Sequence, residues 1–238
     1  FTLTNGGNVR FGGCIRLENS SPKIYDSQII QNSVVSPNGS LGAQGAGLFI
    51  KNSSPLGFST NHNQAFKLCK TNYYCVLNPD VQFIKEPFEE LIKLNKKFDI
   101  GISAPLVKDQ KGELEDSFRF FPTPFSLIKK FFFGYKGIYK ITNQDKLIEP
   151  DCIGGMFMFF RNETYKLLGG FDEKFYLYYE DTDICLRSWK IGKKVAVCPN
   201  ISVIHRARRD SHTKLVFMKY HIQSIFRFFL KHWMRFPR

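Results

Sequence analysis

Long apolar runs and paired cysteine motifs are both missing from this sequence. No run approaches the ~20 apolar residues that a membrane-spanning helix needs, so the sequence predicts no such helix. The six cysteines show neither CxxC pairing nor zinc-like spacing, and four of them lie in apolar surroundings, which favours a reducing compartment. They are Cys14, Cys69, Cys75, Cys152, Cys185 and Cys198.

Acidic residues are scarce at the C-terminal end. From His205 onwards Asp210 alone opposes nine Lys and Arg, and the whole chain carries a net charge of +13. Such an end attracts phosphate, as in a nucleoside diphosphate, an anionic lipid or a nucleic acid. Over residues 213–233 apolar positions recur at steps of three and four, which predicts an amphipathic basic helix. That helix suits either an anionic membrane face or packing on a sheet. Its apolar positions are Leu215, Met218, Ile222, Ile225, Phe229 and Trp233.

Residues 1–56 differ from the rest, being rich in Gly, Asn and Ser. GGCIRLENSSP at residues 12–22 realigns on GAGLFIKNSSP at residues 45–55. Self-similarity of this kind is typical of a solenoid, and the segment resembles coils of a right-handed parallel β-helix of surface proteins. The alternative is a Gly/Asn-rich loop arm. The chain opens on Phe without a signal-like segment, so we expect a fragment or a processed piece.

Alternating strand and helix patterns begin at Gly57. The apolar run Tyr73–Leu77 is typical of a buried parallel strand and leads into Asn78 and Asp80. A helix over residues 87–97 and a strand over residues 100–106 follow. This rhythm predicts an α/β fold with a parallel sheet, in which ligands bind at the carboxyl ends of the strands.

The stretch 151–190 concentrates features that suggest chemistry. Two glycines, Gly154 and Gly155, introduce an apolar run, and a Gly-Gly-Phe-Asp turn holds Asp172. Residues 175–179 are strand-like, and the carboxylates of Glu180, Asp181 and Asp183 follow before a helix predicted over residues 182–191. Helix capping explains one or two of the three carboxylates. The alternative is an acid or base held at the edge of a cleft.

Taken together, these motifs resemble the family 2 glycosyltransferases of the bacterial rhamnosyltransferase-like kind. The resemblance rests on GFSTNHNQAF at residues 57–66, NPDV at 78–81, the glycine pair, GGFDE at 169–173 and YEDTDICLR at 179–187. It implies a GT-A-like, partial Rossmann-type fold for residues 57–238, with a mostly parallel sheet and flanking helices. A short β-helix-like segment, residues 1–56, precedes it.

The resemblance also implies a role for individual residues. On the donor side, Gly57 and Asn63 line the nucleotide, and Asn78 with Asp80 stands in for an Asp-x-Asp metal motif. Asp80 and His205 would hold Mg²⁺ or Mn²⁺, which prefer hard oxygen ligands. On the acceptor side the implied residues are Gly154, Gly155 and Asp172, with Asp181 as the base and Glu180 as second candidate. Arginines that suit diphosphate contacts are Arg206, Arg208 and Arg209.

The implied activity is inverting transfer of a sugar from a UDP- or dTDP-sugar to a cell-surface glycan or a lipid-linked acceptor. We expect a cytoplasmic protein, with residues 213–233 at the inner face of the plasma membrane. In the family a strand, a nucleotide-binding loop and a second strand precede the position of Gly57, and residues 1–56 do not match them. We therefore expect an N-terminally truncated transferase, and its activity is left open.

Two other functions compete with this interpretation. One is a non-enzymatic β-helix surface or adhesin-type fragment fused to a degenerate transferase domain. The other is a nucleic-acid binder that works through the basic C-terminal end. Aromatic residues there follow helical periodicity instead of forming a stacking platform, so no nucleic-acid partner is expected.

Overall fold

The computed structural model describes residues 57–78, 80–134, 139, 147–205 and 215–233. The repeats predicted in residues 1–56, and the three arginines at 206, 208 and 209, lie outside these residues. Within them the helices are α1 (Gly57–Lys67), α2 (Phe88–Phe98), α3 (Pro124–Phe133), α4 (Asn162–Leu167), α5 (Glu180–Lys190) and α6 (Leu215–His232). The strands are β1 (Tyr73–Leu77), β2 (Val81–Phe83), β3 (Ile100–Lys108), β4 (Phe118–Arg119), β5 (Cys152–Ile153), β6 (Phe157–Arg161) and β7 (Lys194–His205).

Five of the strands form one sheet, in the order β1-β6-β3-β7-β2. β3 and β7 pair in parallel, and the other three neighbouring pairs are antiparallel. Strands β1, β3 and β7 therefore run in one direction, and β6 and β2 run in the other. Strands β4 and β5 form a separate two-stranded ribbon. The predicted α/β fold is confirmed, and its sheet is mixed.

Apolar side chains of the central strands form the core. Every residue of β3 except its last is buried, as is every residue of β6 except its last. Next to β6 the rings of Tyr74, Phe160, Tyr165 and Phe171 meet at their edges, with centroids 4.9 to 6.2 Å apart. Such pairs each add about 0.5–1.5 kcal/mol beyond their burial. These four aromatic residues therefore stabilise the core beside β6.

The strand predicted over residues 175–179 is wrong. Phe175 is fully buried, while Tyr178 and Tyr179 adopt the left-handed backbone region, with φ of 70° and 66°. Two left-handed residues in a row cannot continue an extended strand. The aromatic rings here pack on α6, Tyr176 against Tyr220 and Tyr179 against Phe228, in place of a sheet. Helix α5 begins directly after this turn.

Several loops begin at the same edge of the sheet. Leu77 at the end of β1 lies opposite Phe157 at the start of β6, and Lys108 at the end of β3 pairs with Ile204 near the end of β7. The carboxyl ends of β1, β3 and β7 and the amino end of β6 therefore meet. Open α/β sheets bind their ligands at such an edge.

Candidate active site

A cleft of about 350 Å³ lies beside this edge of the sheet. The loop after β1, the glycine loop before β6 and the start of α5 form its floor, and α3 and α6 contribute to its walls. The chain thus brings segments more than 100 residues apart to one opening. Polar and small residues that line it include Asn78, Arg119, Gly155, Glu180, Asp181 and His221.

Asn78, Asp80 and His205 lie together at one end of this edge. Nε2 of His205 lies 3.3 Å from Oδ1 of Asp80 and 3.5 Å from Nδ2 of Asn78. His205 ends β7, and its register partner is Val81, the first residue of β2. The geometry therefore joins two motifs that are 125 positions apart in the sequence.

A fourth residue, Glu115, belongs to this cluster. Its Oε2 lies 2.8 Å from Nδ1 of His205, and both side chains are less than a tenth exposed. Glu115 follows β3 in a charged, turn-like segment, so its sequence surroundings gave no sign of a site. We call Asn78, Asp80, Glu115 and His205 the donor-side cluster, after the role that the resemblance implies for three of them.

The donor-side cluster offers one buried carboxylate oxygen as a ligand atom for a divalent cation. Oδ1 of Asp80 is buried and has no hydrogen-bond partner among the described residues, which leaves an acceptor atom for a cation. No group of three His, Cys, Asp or Glu in the described part of the chain is arranged as a metal cage. Mg²⁺ typically binds through one or two carboxylates plus substrate phosphates, and it keeps several waters. Asp80 and His205 would supply the protein's share of such a site.

Asp181 lies at the cleft edge and is fixed by three donors. Its Oδ2 accepts from the backbone N–H of Gly155 (3.1 Å), and its Oδ1 accepts from the N–H (2.6 Å) and the hydroxyl (3.1 Å) of Thr182. A Cβ on Gly155 would lie 3.1 Å from the ring of Phe58 and 3.7 Å from Cβ of Asp181. Gly155 thus allows close packing around this carboxylate.

Gly154 lies one residue before this contact. Its N–H donates to the carbonyl of Ser117 over 2.7 Å, which joins the glycine loop to the segment before β4. A Cβ at this position would lie 2.6 Å from the sulfur of Met156. Gly154 therefore fixes the glycine loop through a backbone hydrogen bond and does not itself line the cleft.

Glu180 is a buried neighbour of Asp181 and differs from it in environment. Only 5% of Glu180 is exposed, and its Oε2 has no hydrogen-bond partner among the described residues. Burial, followed by the charge of Asp181, raises the pKa of Glu180 well above its usual value. Asp181 is the better placed candidate for the base, because it is partly exposed at the cleft whereas Glu180 is almost fully buried.

The third carboxylate, Asp183, serves packing. It is fully buried and accepts from Nε of Arg187 (2.8 Å), Nζ of Lys231 (2.7 Å) and Nε2 of His232 (2.8 Å). Arg187 in turn donates to the carbonyls of Leu168 and Gly170. Asp183 therefore ties α5 to the last turn of α6, and its presence in the motif is explained by stability.

Six residues of the predicted site lie outside the cleft lining: Asp80, Gly154 and His205, described above, and Gly57, Asn63 and Asp172. The last three make other contacts. Both oxygen lone pairs and both N–H groups of Asn63 are used by Phe171, Glu173 and Tyr165. Asp172 accepts from Lys231 at 2.7 Å. Gly57 begins α1 with φ of 78°, and a Cβ there would lie 2.7 Å from the carbonyl oxygen of Tyr176. All three hold α1, residues 169–176 and α6 together.

Solved structures share this architecture. GalNAc-T7, solved with UDP, GalNAc and Mn²⁺, superposes with a TM-score of 0.52 at 13% identity, over 74% of this chain and 35% of that one. The mannosyltransferase PcManGT from Pyrobaculum calidifontis, solved with GDP-Man and Mn²⁺, gives 0.51 at 12%, over 76% and 46%. The fold is that of the GT-A glycosyltransferases.

Sequence relatives of this GT-A chain are glycosyltransferases as well. It is 28% identical to the rhamnosyltransferase WbbL of Escherichia coli K12 over 77% of this chain and 74% of that protein. It is 27% identical to the N-acetylglucosaminyl-diphospho-decaprenol L-rhamnosyltransferase of Mycobacterium tuberculosis, over 56% of this chain and 47% of the relative. No protein-family model matches. These relatives support a glycosyltransferase function and do not favour the adhesin alternative.

Proposed function

We propose that this chain is an inverting hexosyltransferase. It would move a sugar from a UDP- or dTDP-sugar to a hydroxyl of a cell-surface glycan or a lipid-linked acceptor. One observation carries the proposal: the fixed carboxylate of Asp181 lines the same cleft as Asn78, whose amide belongs to the donor-side cluster. A base at the cleft and a phosphate-binding cluster that reaches the cleft through Asn78 are the two groups that sugar transfer needs.

Each group has a distinct part in this proposal. Asp80 and His205 hold Mg²⁺ or Mn²⁺, which neutralises the charge of the departing nucleoside diphosphate. Asp181 accepts the proton of the acceptor hydroxyl, and three donors keep it aimed at the cleft. Gly154 and Gly155 shape the acceptor side by letting the loop pack closely. Diphosphate contacts by Arg206, Arg208 and Arg209 remain a prediction, as do the nucleotide contacts of Gly57 and Asn63.

The donor site is tested by isothermal titration of the chain with UDP and with dTDP, each with and without Mn²⁺. We expect binding of at least one nucleotide to require Mn²⁺. Asp80→Asn keeps the shape of the side chain and removes its charge. Nucleotide binding should therefore weaken by more than about 100-fold, because losing a metal ligand costs more than losing a residue that is hydrogen-bonded to a ligand. Asp99→Asn is the matched control, because Asp99 is 63% exposed and precedes β3 at the opposite end of that strand. Binding that is independent of Mn²⁺, or unchanged in Asp80→Asn, would contradict the proposal.

We also propose that residues 213–233 contact the inner face of the plasma membrane. The inward face of α6 is formed by Ser224, Phe228 and His232, none of which belongs to the apolar stripe predicted from the sequence. A second apolar stripe faces solvent, with exposed fractions of 47% to 74%. Its members are Met218, Ile222, Phe226, Leu230 and Trp233. The inward face contacts Leu177, Tyr179 and Asp183, at and before the start of α5, while the second stripe faces away from these contacts.

Charge favours an anionic surface as the partner of this stripe. Lys219 and Arg227 are exposed, and α6 contains no acidic residue. Basic amphipathic helices lie in the plane of anionic membranes. No described helix is long and apolar enough to cross a bilayer. A peripheral contact is therefore the proposal for α6.

Sedimentation with vesicles tests this contact. We expect the chain to bind phosphatidylglycerol vesicles and not phosphatidylcholine vesicles at low salt. Phe226→Ser and Leu230→Ser should each weaken binding about tenfold, because each removes an apolar side chain that would enter the bilayer. Leu68→Ser and Leu167→Ser are matched controls, since both leucines are exposed and lie on other helices or turns. Equal binding by all four variants would rule out the α6 surface.

A further inference from the structure

Glu115 holds His205 from the side opposite Asp80. Oε2 of Glu115 lies 2.8 Å from Nδ1 of the imidazole, while Nε2 faces Oδ1 of Asp80 at 3.3 Å. The ring is thus bounded by a carboxylate on each nitrogen. The side chains of Glu115 and His205 are 9% and 8% exposed, so water competes little for these contacts.

The backbone around Glu115 fixes its carboxylate at this place. Its N–H donates to the carbonyl of Val107 (2.9 Å), and its own carbonyl accepts from the N–H of Ser117 (2.8 Å). Leu114 forms a bridge with Lys108 at the end of β3. The residue is therefore attached to a central strand although it lies in a loop.

The hydrogen bond at Nδ1 determines which imidazole nitrogen is available. An ionised carboxylate only accepts, so Nδ1 must carry the proton in this contact, an assignment that follows from the partners. The lone pair of a neutral His205 then lies on Nε2. That atom faces the buried Oδ1 of Asp80, which has no hydrogen-bond partner among the described residues. Two electron-pair donors that face each other in this way suit a shared cation.

We propose that Glu115 is a positioning residue that orients Nε2 of His205 toward the donor-site cation. A carboxylate that is hydrogen-bonded to the second nitrogen of a histidine ligand fixes the tautomer and ring orientation of that histidine. It also makes the histidine a better ligand. The inference rests on the proposed function, because it assumes that Asp80 and His205 share a metal. It adds a residue that the motifs of the sequence do not contain.

Titration calorimetry with Mn²⁺ in the presence of UDP or dTDP measures the contribution of Glu115. We expect Glu115→Ala to weaken Mn²⁺ binding about 10- to 100-fold, as loss of such a partner does. Glu115→Gln should lose less than about tenfold, because its amide oxygen still accepts from Nδ1. Glu113→Ala is the matched control, since Glu113 is exposed in the same loop. Equal losses in Glu115→Ala and Glu115→Gln, or wild-type affinity in Glu115→Ala, would overturn the proposal.

A second readout needs no metal. Nitrogen chemical shifts of His205 in the metal-free protein near pH 8 distinguish the two tautomers. We expect the proton on Nδ1 in the wild type and in Glu115→Gln, and a mixture of tautomers in Glu115→Ala. A proton on Nε2 in the wild type would overturn the inference.

The two experiments separate the inference from the proposed function. If the wild type binds no Mn²⁺ with either nucleotide, both fail together. If the wild type binds Mn²⁺ and Asp80→Asn does not, while Glu115→Ala binds as tightly as the wild type, only the role of Glu115 fails. Circular dichroism melting of each variant verifies that the chain is folded at the temperature of the measurement.

Discussion

The Asp181→Asn variant is expected to lose about 10²- to 10⁴-fold in sugar transfer, the usual contribution of a positioned base. Asparagine fills the same space, but its amide cannot take the proton of an acceptor hydroxyl. Nucleotide binding with Mn²⁺ should remain within a few-fold of the wild type, because Asp181 is outside the donor-side cluster. The measurement is release of nucleoside diphosphate in the presence of an acceptor on which the wild type acts. A loss of less than tenfold would contradict the assignment of Asp181 as base.

Glu180→Gln separates the two neighbouring carboxylates in the same assay. Burial and Asp181 raise the pKa of Glu180, and glutamine replaces its buried carboxyl group with a neutral amide of the same size. We expect a loss of less than about tenfold, well below the usual contribution of a base. If Glu180→Gln loses as much as Asp181→Asn, Glu180 is the base in place of Asp181.

Local patterns predicted most of the individual elements. The apolar run Tyr73–Leu77 forms β1, but β1 is a half-buried edge strand that pairs antiparallel with β6 and is not the buried parallel strand that was expected. The helix predicted over residues 87–97 is displaced by one residue. These elements follow from local periodicity, which the sequence contains. The order of strands does not, because β6 lies between β1 and β3 although about 50 residues of sequence separate it from β3. An antiparallel strand in this position made the sheet mixed.

The prediction for the turn before α5 was wrong for a different reason. Residues 175–179 have the aromatic composition of a strand, but Tyr178 and Tyr179 are left-handed. Such a conformation costs on the order of 1–3 kcal/mol per residue, and it persists only where surrounding contacts enforce it. Rings of α6 supply these contacts, and α6 lies too far along the chain for local propensity to include it.

The grouping of candidate site residues was predictable where a motif marks the end of a strand. Asn78, Asp80 and His205 each follow or end a strand, and the sheet brings them together. Asn63 and Asp172 belong to equally clear motifs. Their side chains, however, join α1 and α6 to the turn at residues 169–173. Residue type does not reveal the direction of a side chain. Glu115 shows the converse, since it belongs to no motif and contacts His205 through the end of β3.

The Asp183→Asn variant is expected to lower the free energy of unfolding by about 3–5 kcal/mol, the usual effect of removing one partner from a buried ion pair. The neutral amide would leave Arg187 without its buried counter-charge, and Lys231 would keep only its pair with Asp172. Urea unfolding at pH 7 measures the change. Asp99→Asn is the matched control, because Asp99 is 63% exposed and its ion pairs should contribute less than about 1 kcal/mol. Equal destabilisation by the two variants would contradict this role for Asp183.

Stability should also depend on pH through Asp183. Burial opposes ionisation of this carboxylate, but the hydrogen bond from His232 and the charges of Arg187 and Lys231 outweigh it and lower its pKa from 3.8 to about 2. Because the folded state holds the ionised form more strongly, this contribution is complete above pH 4 and is lost as the pH falls through 2. The difference between the two pKa values corresponds to about 2 kcal/mol. Urea unfolding between pH 5 and pH 2 should therefore show a smaller loss of stability in Asp183→Asn than in the wild type. Parallel curves for the two proteins would show that the carboxylate of Asp183 is not held ionised by α6.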